Sequence, residues 1–223
     1  PSRDLDLVGV TGTNGKTSVV HLLNAVLERA GRITATHGTL SGGRTTPEAT
    51  DLQPLLRSWV ATGVDAAAIE VSSHALSQHR VDGTTFAAVA FTNLSRDHLD
   101  YHESMDDYEA AKARLFNGTF ADHAVVVSTG QTGRRMVDRA REAAMTVVEV
   151  GEPPDVLVSP GGVCFGWRGR TIMVNTGGRF TVANALVAAE LSAMLGIHED
   201  AVVEGLAAAR PVPGRFELVA LEG

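Results

Sequence analysis

Apolar residues follow two spacings along the chain, and their alternation predicts strands that are each followed by a helix. Residues 5–10 (LDLVGV), 64–71 (VDAAAIEV) and 86–93 (FAAVAFTN) are short apolar runs, the pattern of strands buried on both faces of a sheet. Over residues 19–30, apolar side chains recur at helical spacing, and a glycine follows. Such repeated units predict an α/β fold with a mostly parallel, doubly wound sheet and helices on both faces.

Capping signals and periodicity predict the other elements. The triplet at 46–48 (TPE) has the order N-cap, first-turn proline, first-turn acid, which predicts a helix from there to about Ala61. Ser104 with Asp107 three residues later predicts another helix start, and we expect this helix to reach Leu115. The remaining alternation predicts strands at 122–129 and 146–151 and helices at 132–144, about 181–195 and 198–209.

The stretch 155–175 has a different pattern from the rest of the chain. Three short apolar segments, DVLVS, VCFGW and TIMVN, are separated by PGG and RGR. Short segments joined by glycine-containing turns are typical of antiparallel strands. The sequence therefore predicts a small antiparallel sheet in addition to the parallel one.

Composition and charge narrow the class of protein. The 223 residues are 44% apolar and 20% charged, with a net charge of −7 and a single cysteine. This length fits one large domain or two small ones. No run approaches the ~20 apolar residues of a membrane span and no signal-peptide pattern opens the sequence, so we expect a cytoplasmic protein without membrane insertion. The acidic balance argues against a general nucleic-acid binder, and any anion site is expected to be local.

The segment 9–18 (GVTGTNGKTS) places three glycines and a lysine between the first predicted strand and the first predicted helix. A loop in this position points backbone N–H groups and the positive end of the helix at one spot, which suits a polyphosphate. We expect Gly12 and Gly15 to let the backbone approach the ligand, Lys16 to neutralise phosphate oxygens and Thr17 to hold Mg²⁺. The loop is a variant of the common P-loop, because a valine stands where that pattern has its first glycine. A glycine-rich turn with a chance lysine is the alternative.

Further candidate ligands lie near the ends of neighbouring strands. Glu70 ends an apolar run, and the segment 95–108 (SRDHLDYHESMDDY) is rich in aspartate and histidine. Carboxylates in such positions are natural Mg²⁺ ligands, although a strand-end acid and a solvated acidic loop are the simpler alternatives. His98 and His102 are four residues apart, which leaves a zinc site open, but no cysteine or HExxH pattern accompanies them. Arg80 is a candidate anion clamp or an ordinary surface residue.

Seven motifs resemble, in this order, the central domain of the Mur ligases. They are TGTNGKT, EVSSHAL, HRVDG, FTNLSRDHLDYH, YEAAKARLF, FTVANAL and VPGRFE. The resemblance covers nearly the whole chain and is most specific over residues 9–116. It implies a ligase of peptidoglycan synthesis that uses ATP and Mg²⁺. The closest branch adds the third amino acid, meso-diaminopimelate or L-lysine, to UDP-MurNAc-L-Ala-D-Glu through an acyl phosphate. The variant loop is explained too, since GTNGKT is the family's form.

The resemblance also implies roles for individual residues. The implied metal ligands are Thr17, Glu70, His98 and a carbamylated Lys112, and the implied catalytic residues are Lys16, Glu70, His98 and Lys112. The implied ATP-binding residues are Gly12, Thr13, Asn14, Gly15, Lys16, Thr17, Ser18, Asn184 and Arg215. The implied contacts of the UDP-MurNAc-dipeptide are Thr45, Thr46, Ser72, Gln78 and Arg80.

The domain organisation is likewise implied by the resemblance. Residues 1–210 would form the central ATP-binding domain and residues 211–223 a hinge toward a C-terminal domain that recognises the amino acid. Neither that domain nor the family's N-terminal uridine-binding domain is expected within the chain, so we expect the isolated chain to bind nucleotide without ligating. Three other functions stay open: a P-loop NTPase or kinase, a ligase of the folylpolyglutamate or cyanophycin synthetase type, and a non-catalytic nucleotide-binding module.

Overall fold

A six-stranded parallel sheet forms the centre of the protein in the computed structural model, which describes residues 1–97 and 100–214. Its strands are β1 (Asp6–Thr11), β2 (Thr34–His37), β3 (Ala66–Glu70), β4 (Ala88–Phe91), β5 (His123–Val127) and β6 (Thr146–Val150). They lie in the order β2-β3-β1-β4-β5-β6. The chain leaves β1 toward one side and later returns to its other side, so the order reverses beside β1. In open parallel sheets, ligands bind at the carboxyl end of the strands where such a reversal occurs.

Helices cover both faces of this sheet. The described residues form α1 (Lys16–Arg29), α2 (Ala49–Ala61), α3 (Ser73–Ser77), α4 (Met105–Ala113), α5 (Gln131–Glu142), α6 (Phe180–Met194) and α7 (Glu199–Ala208). Alternate side chains of β1 enter two separate cores: Val8 packs with α1, α6 and α7, and Leu7 packs with α2 and α5. Burial on both faces explains why the central strands read as continuous apolar runs.

The small antiparallel sheet predicted at 155–175 is present. It consists of β7 (Leu157–Ser159), β8 (Gly162–Trp167) and β9 (Arg170–Val174), in that order. Val163, Phe165 and Trp167 of β8 point to one face and join the core that contains α1 and α6. The predicted α/β class, with a mostly parallel sheet and this added sheet, is confirmed.

The predicted helix start at Thr46 is wrong. The helix α2 begins at Ala49, and Glu48 is its N-cap residue. The Thr46 hydroxyl does not cap a helix because it donates to the carbonyl oxygen of Glu70 at 2.8 Å and accepts from the backbone N–H of Ser72 at 3.0 Å. Thr46 therefore joins the loop before α2 to the end of β3.

Two short elements were not predicted. Strand β2 lies at the sheet edge, and its residues TATH are partly exposed, so they lack an apolar run. Helix α3 has five residues, too few for a periodic signal. The predicted cap at Ser104 is confirmed, since its hydroxyl accepts from the backbone N–H of Asp107. That helix ends at Ala113, and a 3-10 turn continues it over Arg114–Phe116. No helix within residues 1–97 and 100–214 has the length and apolar character needed to cross a membrane.

Candidate functional site

The loop between β1 and α1 follows the central strand at the carboxyl edge of the sheet. Gly12 and Gly15 have φ angles of 147° and 90°, in a region that side-chain-bearing residues rarely adopt. A Cβ atom at Gly12 would overlap the hydroxyl of Thr92, and one at Gly15 would overlap the side chain of Asn184 from α6. Both glycines are therefore required for this loop to form.

The chain contains two lysines, and both side chains reach the same carbonyl oxygen in this loop. Lys16 Nζ donates to the carbonyl oxygens of Gly12 and Thr13, at 2.9 Å each. Lys112 Nζ, which extends from α4, donates to Gly12 O at 2.9 Å and lies 4.4 Å from the ring centroid of Tyr108. Two potential cations thus meet at Gly12, directly after β1.

The Lys112 amine has a strongly perturbed acidity. Its side chain is 1% exposed. Burial, and next the charge of Lys16, lower the pKa of Lys112 from 10.5 to about 6, while Asp97 acts in the opposite direction. Lys112 is therefore mostly a neutral amine at neutral pH, still able to donate a hydrogen bond to Gly12.

Side chains on two further segments hold the loop from outside. Tyr108 OH lies 3.0 Å from Thr13 Oγ1, and that oxygen accepts from the backbone N–H of Ser95 at 3.0 Å. The backbone N–H of Asn14 donates to Asn93 Oδ1 at 3.0 Å. The loop is thus fixed by α4 and by the segment after β4, before any ligand binds.

Glu70 is a buried carboxylate at the end of β3, next to β1. Its side chain is 1% exposed. Oε1 accepts from Thr17 Oγ1 and from the backbone N–H of Thr39, at 2.9 Å each, and Oε2 accepts from Thr39 Oγ1 at 3.2 Å. Gly38 packs so closely that a Cβ atom there would overlap the carboxylate. A carboxylate and a hydroxyl oxygen side by side fit the hard oxygen ligands that Mg²⁺ prefers.

A cavity of about 580 Å³ lies beside the loop. Its walls include Lys16 and four residues from the neighbouring strand ends and loops, namely Thr45, Thr46, Ser72 and Arg80.

Arg80 supplies a fixed positive charge to this cavity. Its side chain is 6% exposed, which excludes the alternative of an ordinary surface arginine. Nη1 donates to Thr46 O at 3.0 Å, and Nε and Nη2 both donate to Gln78 Oε1. Nη2 also forms an ion pair with Glu48 Oε1 at 3.2 Å. The guanidinium group is therefore oriented by protein oxygens before a ligand arrives.

Comparison with known proteins decides the family. The sequence model described as the Mur ligase middle domain matches residues 10–192. The chain belongs to the Mur ligase family. Among curated relatives, the UDP-N-acetylmuramoyl-L-alanyl-D-glutamate–2,6-diaminopimelate ligase of Geobacter metallireducens is 39% identical, with 98% of this chain and 48% of the relative covered. The enzyme of the same name from Streptomyces avermitilis is 40% identical, with 98% of this chain and 47% of the relative covered.

Solved structures show the same fold. A structure of a UDP-N-acetylmuramoyl-L-alanyl-D-glutamate–2,6-diaminopimelate ligase matches with a TM-score of 0.83 at 28% identity, covering 95% of this chain and 47% of that one. MurF from Acinetobacter baumannii matches with a TM-score of 0.78 at 18% identity, covering 98% of this chain and 49% of that one. The second likeness concerns the fold alone. The chain spans about half the length of the curated relatives it matches.

The residues that the Mur ligase resemblance implied lie in two groups around the central strand. The loop residues continue into Ser18 in the first turn of α1, and Asn184 touches the loop at Gly15. The adjacent cavity is lined by Thr45, Thr46, Ser72 and Arg80. Gln78 is not among the lining residues and contacts Arg80 instead. His98 and Arg215 lie outside the described residues. The described part of the chain contains no cluster of three or more His, Cys, Asp or Glu side chains suited to a metal ion.

Several residues of this site were not found from the sequence. Tyr108 contacts Thr13 from α4. It stands four residues before Lys112, which the Mur ligase resemblance already implied, and this helical spacing signals a shared face. Thr39 and Gly38 carry no such signal, because they contact Glu70 only after β2 and β3 have paired.

Lys112 should make stability depend on pH. The pKa is about 6 in the folded protein and 10.5 as the ordinary value, so the unfolded chain binds the extra proton between them. Relative to Lys112→Met, the free energy of unfolding of the parent should rise with pH in this window, by up to about 1.4 kcal/mol per unit. Urea unfolding of both proteins between about pH 6.5 and 8.5 measures this difference.

A direct control uses the presence of two lysines. Selective ¹³C labelling of lysine gives two side-chain signals, and the one missing from Lys112→Met should titrate near pH 6. Stability curves that stay parallel, together with a Lys112 signal that titrates near its ordinary pKa of 10.5, would contradict the buried neutral amine.

Proposed function

We propose that these residues form the ATP-binding core of a ligase that joins an amino acid to UDP-N-acetylmuramoyl-L-alanyl-D-glutamate. One observation carries the proposal. A glycine-rich loop with Lys16, a buried Thr17–Glu70 pair and a cavity walled by Arg80 lie together at one edge of the sheet. The curated relatives at 39% and 40% identity bear the name of this ligase.

The loop is proposed to bind the phosphates of ATP. Backbone N–H groups at the start of α1 and the helix dipole favour an anion there, and Lys16 adds a full charge. Hydrogen bonds from Lys16 to the carbonyl oxygens of Gly12 and Thr13 keep its ammonium group against the loop, which supports this role. Asn184, in contact with Gly15, is proposed to contact the nucleotide as well.

The Thr17 hydroxyl and the Glu70 carboxylate are proposed to hold Mg²⁺. Their oxygen atoms lie 2.9 Å apart in a buried position directly after the phosphate-binding loop. When bound, Mg²⁺ supplies positive charge that neutralises the β- and γ-phosphate oxygens. Glu70 is already oriented by Thr39, so the protein needs little rearrangement to offer this pair.

The cavity is proposed to hold the acceptor carboxylate. A buried arginine whose nitrogen atoms are oriented by Thr46, Gln78 and Glu48 is a suitable anchor for an acidic group. The neighbouring hydroxyl groups of Thr45 and Ser72 add short polar contacts. This combination favours a ligase over a simple P-loop NTPase, which needs only water beside the γ-phosphate.

The proposed reaction has two steps. A carboxylate oxygen of the acceptor attacks the γ-phosphorus of ATP, the bond to the β–γ bridging oxygen breaks, and ADP leaves with the electron pair. The amine nitrogen of the incoming amino acid then attacks the acyl carbon, the bond to phosphate breaks, and phosphate and one proton are released. Such transfers ask the protein mainly for positioning and charge neutralisation, which Lys16, Glu70 and Arg80 would provide.

Lys112 is proposed to carry a carbamate, formed when its neutral amine nitrogen attacks CO2 and then gives up one proton. Carbamate formation needs a neutral amine, and at the ordinary pKa only about one lysine in 2,500 is neutral at pH 7. Burial removes this barrier by lowering the pKa of Lys112 to about 6. The product would be an anion facing the same loop as Lys16, where a bound cation stabilises it.

The nucleotide assignment predicts that Lys16→Ala weakens Mg-ATP binding. Loss of a charged donor to a phosphate should reduce affinity by at least about tenfold. The fold should persist, because Lys16 contacts loop carbonyls rather than the apolar core. Calorimetry and circular dichroism measure the two effects, and the exposed Arg57→Ala serves as a matched charge control. Equal affinity in Lys16→Ala and the parent would overturn the assignment.

The carbamate assignment predicts a carbonyl signal in ¹³C NMR after incubation with labelled bicarbonate. The signal should be present in the parent, persist in Lys16→Ala and vanish in Lys112→Ala. Since these are the two lysines of the chain, the pair of variants forms an internal control. A signal that survives in Lys112→Ala, or a parent without one, would leave Lys112 as an unmodified donor to Gly12.

A further inference from the structure

His102 is a buried histidine whose two ring nitrogens contact side chains from two helices. It is 2% exposed. Nε2 lies 2.9 Å from Ser73 Oγ in the first turn of α3, and Nδ1 lies 3.1 Å from Asp107 Oδ2 in the first turn of α4. Because a carboxylate only accepts, Nδ1 donates to Asp107, and Nε2 pairs with the Ser73 hydroxyl.

The same order of side chains, serine to histidine to aspartate, activates a nucleophile in serine hydrolases. Ser73 is unsuited to that role, because it is 1% exposed and a substrate has no route to its hydroxyl. The network instead joins α3 to α4. It holds two segments in place rather than reacting.

One line of contacts leads from His102 to a cavity wall through the backbone. Ser73 follows Ser72, which lines the cavity and caps α3 by accepting from the N–H of Ala75. The backbone N–H of Ser72 also donates to Thr46 Oγ1 at 3.0 Å. A fixed Ser73 therefore restrains the start of α3 and, with it, the hydroxyl of Ser72.

A second line of contacts leads through an aromatic ring. Tyr101 packs edge-on against His102, with ring centroids 4.9 Å apart. Its hydroxyl accepts from Gln78 Nε2 at 3.1 Å, and Gln78 Oε1 in turn accepts from Arg80 Nε. His102 thus supports both polar groups, Ser72 and Arg80, that face the cavity.

We propose that His102 is a positioning residue for the acidic acceptor, holding Ser72 and Arg80 in binding geometry through Ser73 and Tyr101. The inference rests on the proposed function, because it assumes that the acceptor binds in this cavity. It also goes beyond that function, since His102 is not among the residues that line the cavity. Its hydrogen-bond partners are Ser73 and Asp107, outside the loop between β1 and α1. Its effect should therefore fall on acceptor affinity.

Two substitutions of His102 separate the hydrogen bond to Ser73 from the hydrogen bond to Asp107. Glutamine places an amide near the position of Nε2 and keeps a partner for Ser73, whereas asparagine places one near Nδ1 and keeps a partner for Asp107. Ser73→Ala removes the serine contact while leaving the packing of His102 on Tyr101 and Tyr108 intact. His123→Gln, at an exposed position at the start of β5, is the matched control.

The test is calorimetric titration of the chain with UDP-N-acetylmuramoyl-L-alanyl-D-glutamate, and separately with Mg-ATP. Ser73→Ala and His102→Asn should each weaken acceptor binding by about tenfold. His102→Gln should lie between the parent and His102→Asn, because it keeps a partner for Ser73 but loses the ring that packs on Tyr101. The control should match the parent. The double variant Ser73→Ala/His102→Asn should be no weaker than His102→Asn alone, because that substitution already removes the serine contact. Mg-ATP affinity should be unchanged in Ser73→Ala.

The outcomes separate this inference from the proposed function. Acceptor affinity in Ser73→Ala equal to that of the parent would overturn the role of His102 and leave the proposed function standing. Equal weakening of acceptor and Mg-ATP binding would also overturn it, since that result indicates general support of the fold. A parent that binds Mg-ATP but not the acceptor would overturn the acceptor assignment, and this inference with it.

Discussion

The buried carboxylate of Glu70 is the constraint on which the arrangement of the site depends. Removing a carboxylate from water is costly unless hydrogen bonds replace the lost solvation. Three donors provide that compensation: the Thr17 hydroxyl, the Thr39 hydroxyl and the Thr39 backbone N–H. They come from the start of α1 and from the turn after β2. One side chain therefore fixes the loop between β1 and α1, the turn after β2 and the end of β3 relative to one another.

Two lysines complete the electrostatics of this edge. Lys16 and Lys112 share the Gly12 carbonyl, and the dry surroundings of Lys112 lower its pKa to about 6. Two neighbouring ammonium groups would repel each other, and neutralising the more buried one relieves that repulsion. The Lys112 nitrogen then remains a neutral hydrogen-bond donor to Gly12 beside the charge of Lys16. In a chain with 26 acidic residues and a net charge of −7, the two lysines meet at this single spot.

The sequence predicted the elements that have a periodic or compositional signal. Buried strands such as 64–71 and 86–93, the small sheet at 155–175 and the cap at Ser104 follow from local patterns. The edge strand β2 and the five-residue α3 escaped because neither has enough apolar residues to give a period. Thr46 was misread for a different reason. Its hydroxyl donates to the carbonyl oxygen of Glu70 at the end of β3. This contact depends on tertiary structure and has no signature in the triplet TPE.

The residues of the candidate site also fall into those with a local sequence signal and those that depend on tertiary contacts. Lys16, Thr17 and the loop glycines were found from local sequence, and Glu70 from its position at the end of a strand. The partners of these residues, namely Thr39, Tyr108 and the His102 network, depend on which segments the sheet brings together. The most direct test of the account compares ATP affinity with Mg²⁺ and with EDTA in the parent, in Glu70→Gln and in the exposed control Glu204→Gln. We expect Mg²⁺ to strengthen ATP binding in the parent and the control, and to have little effect in Glu70→Gln. An equal effect of Mg²⁺ in all three proteins would contradict the central role of Glu70.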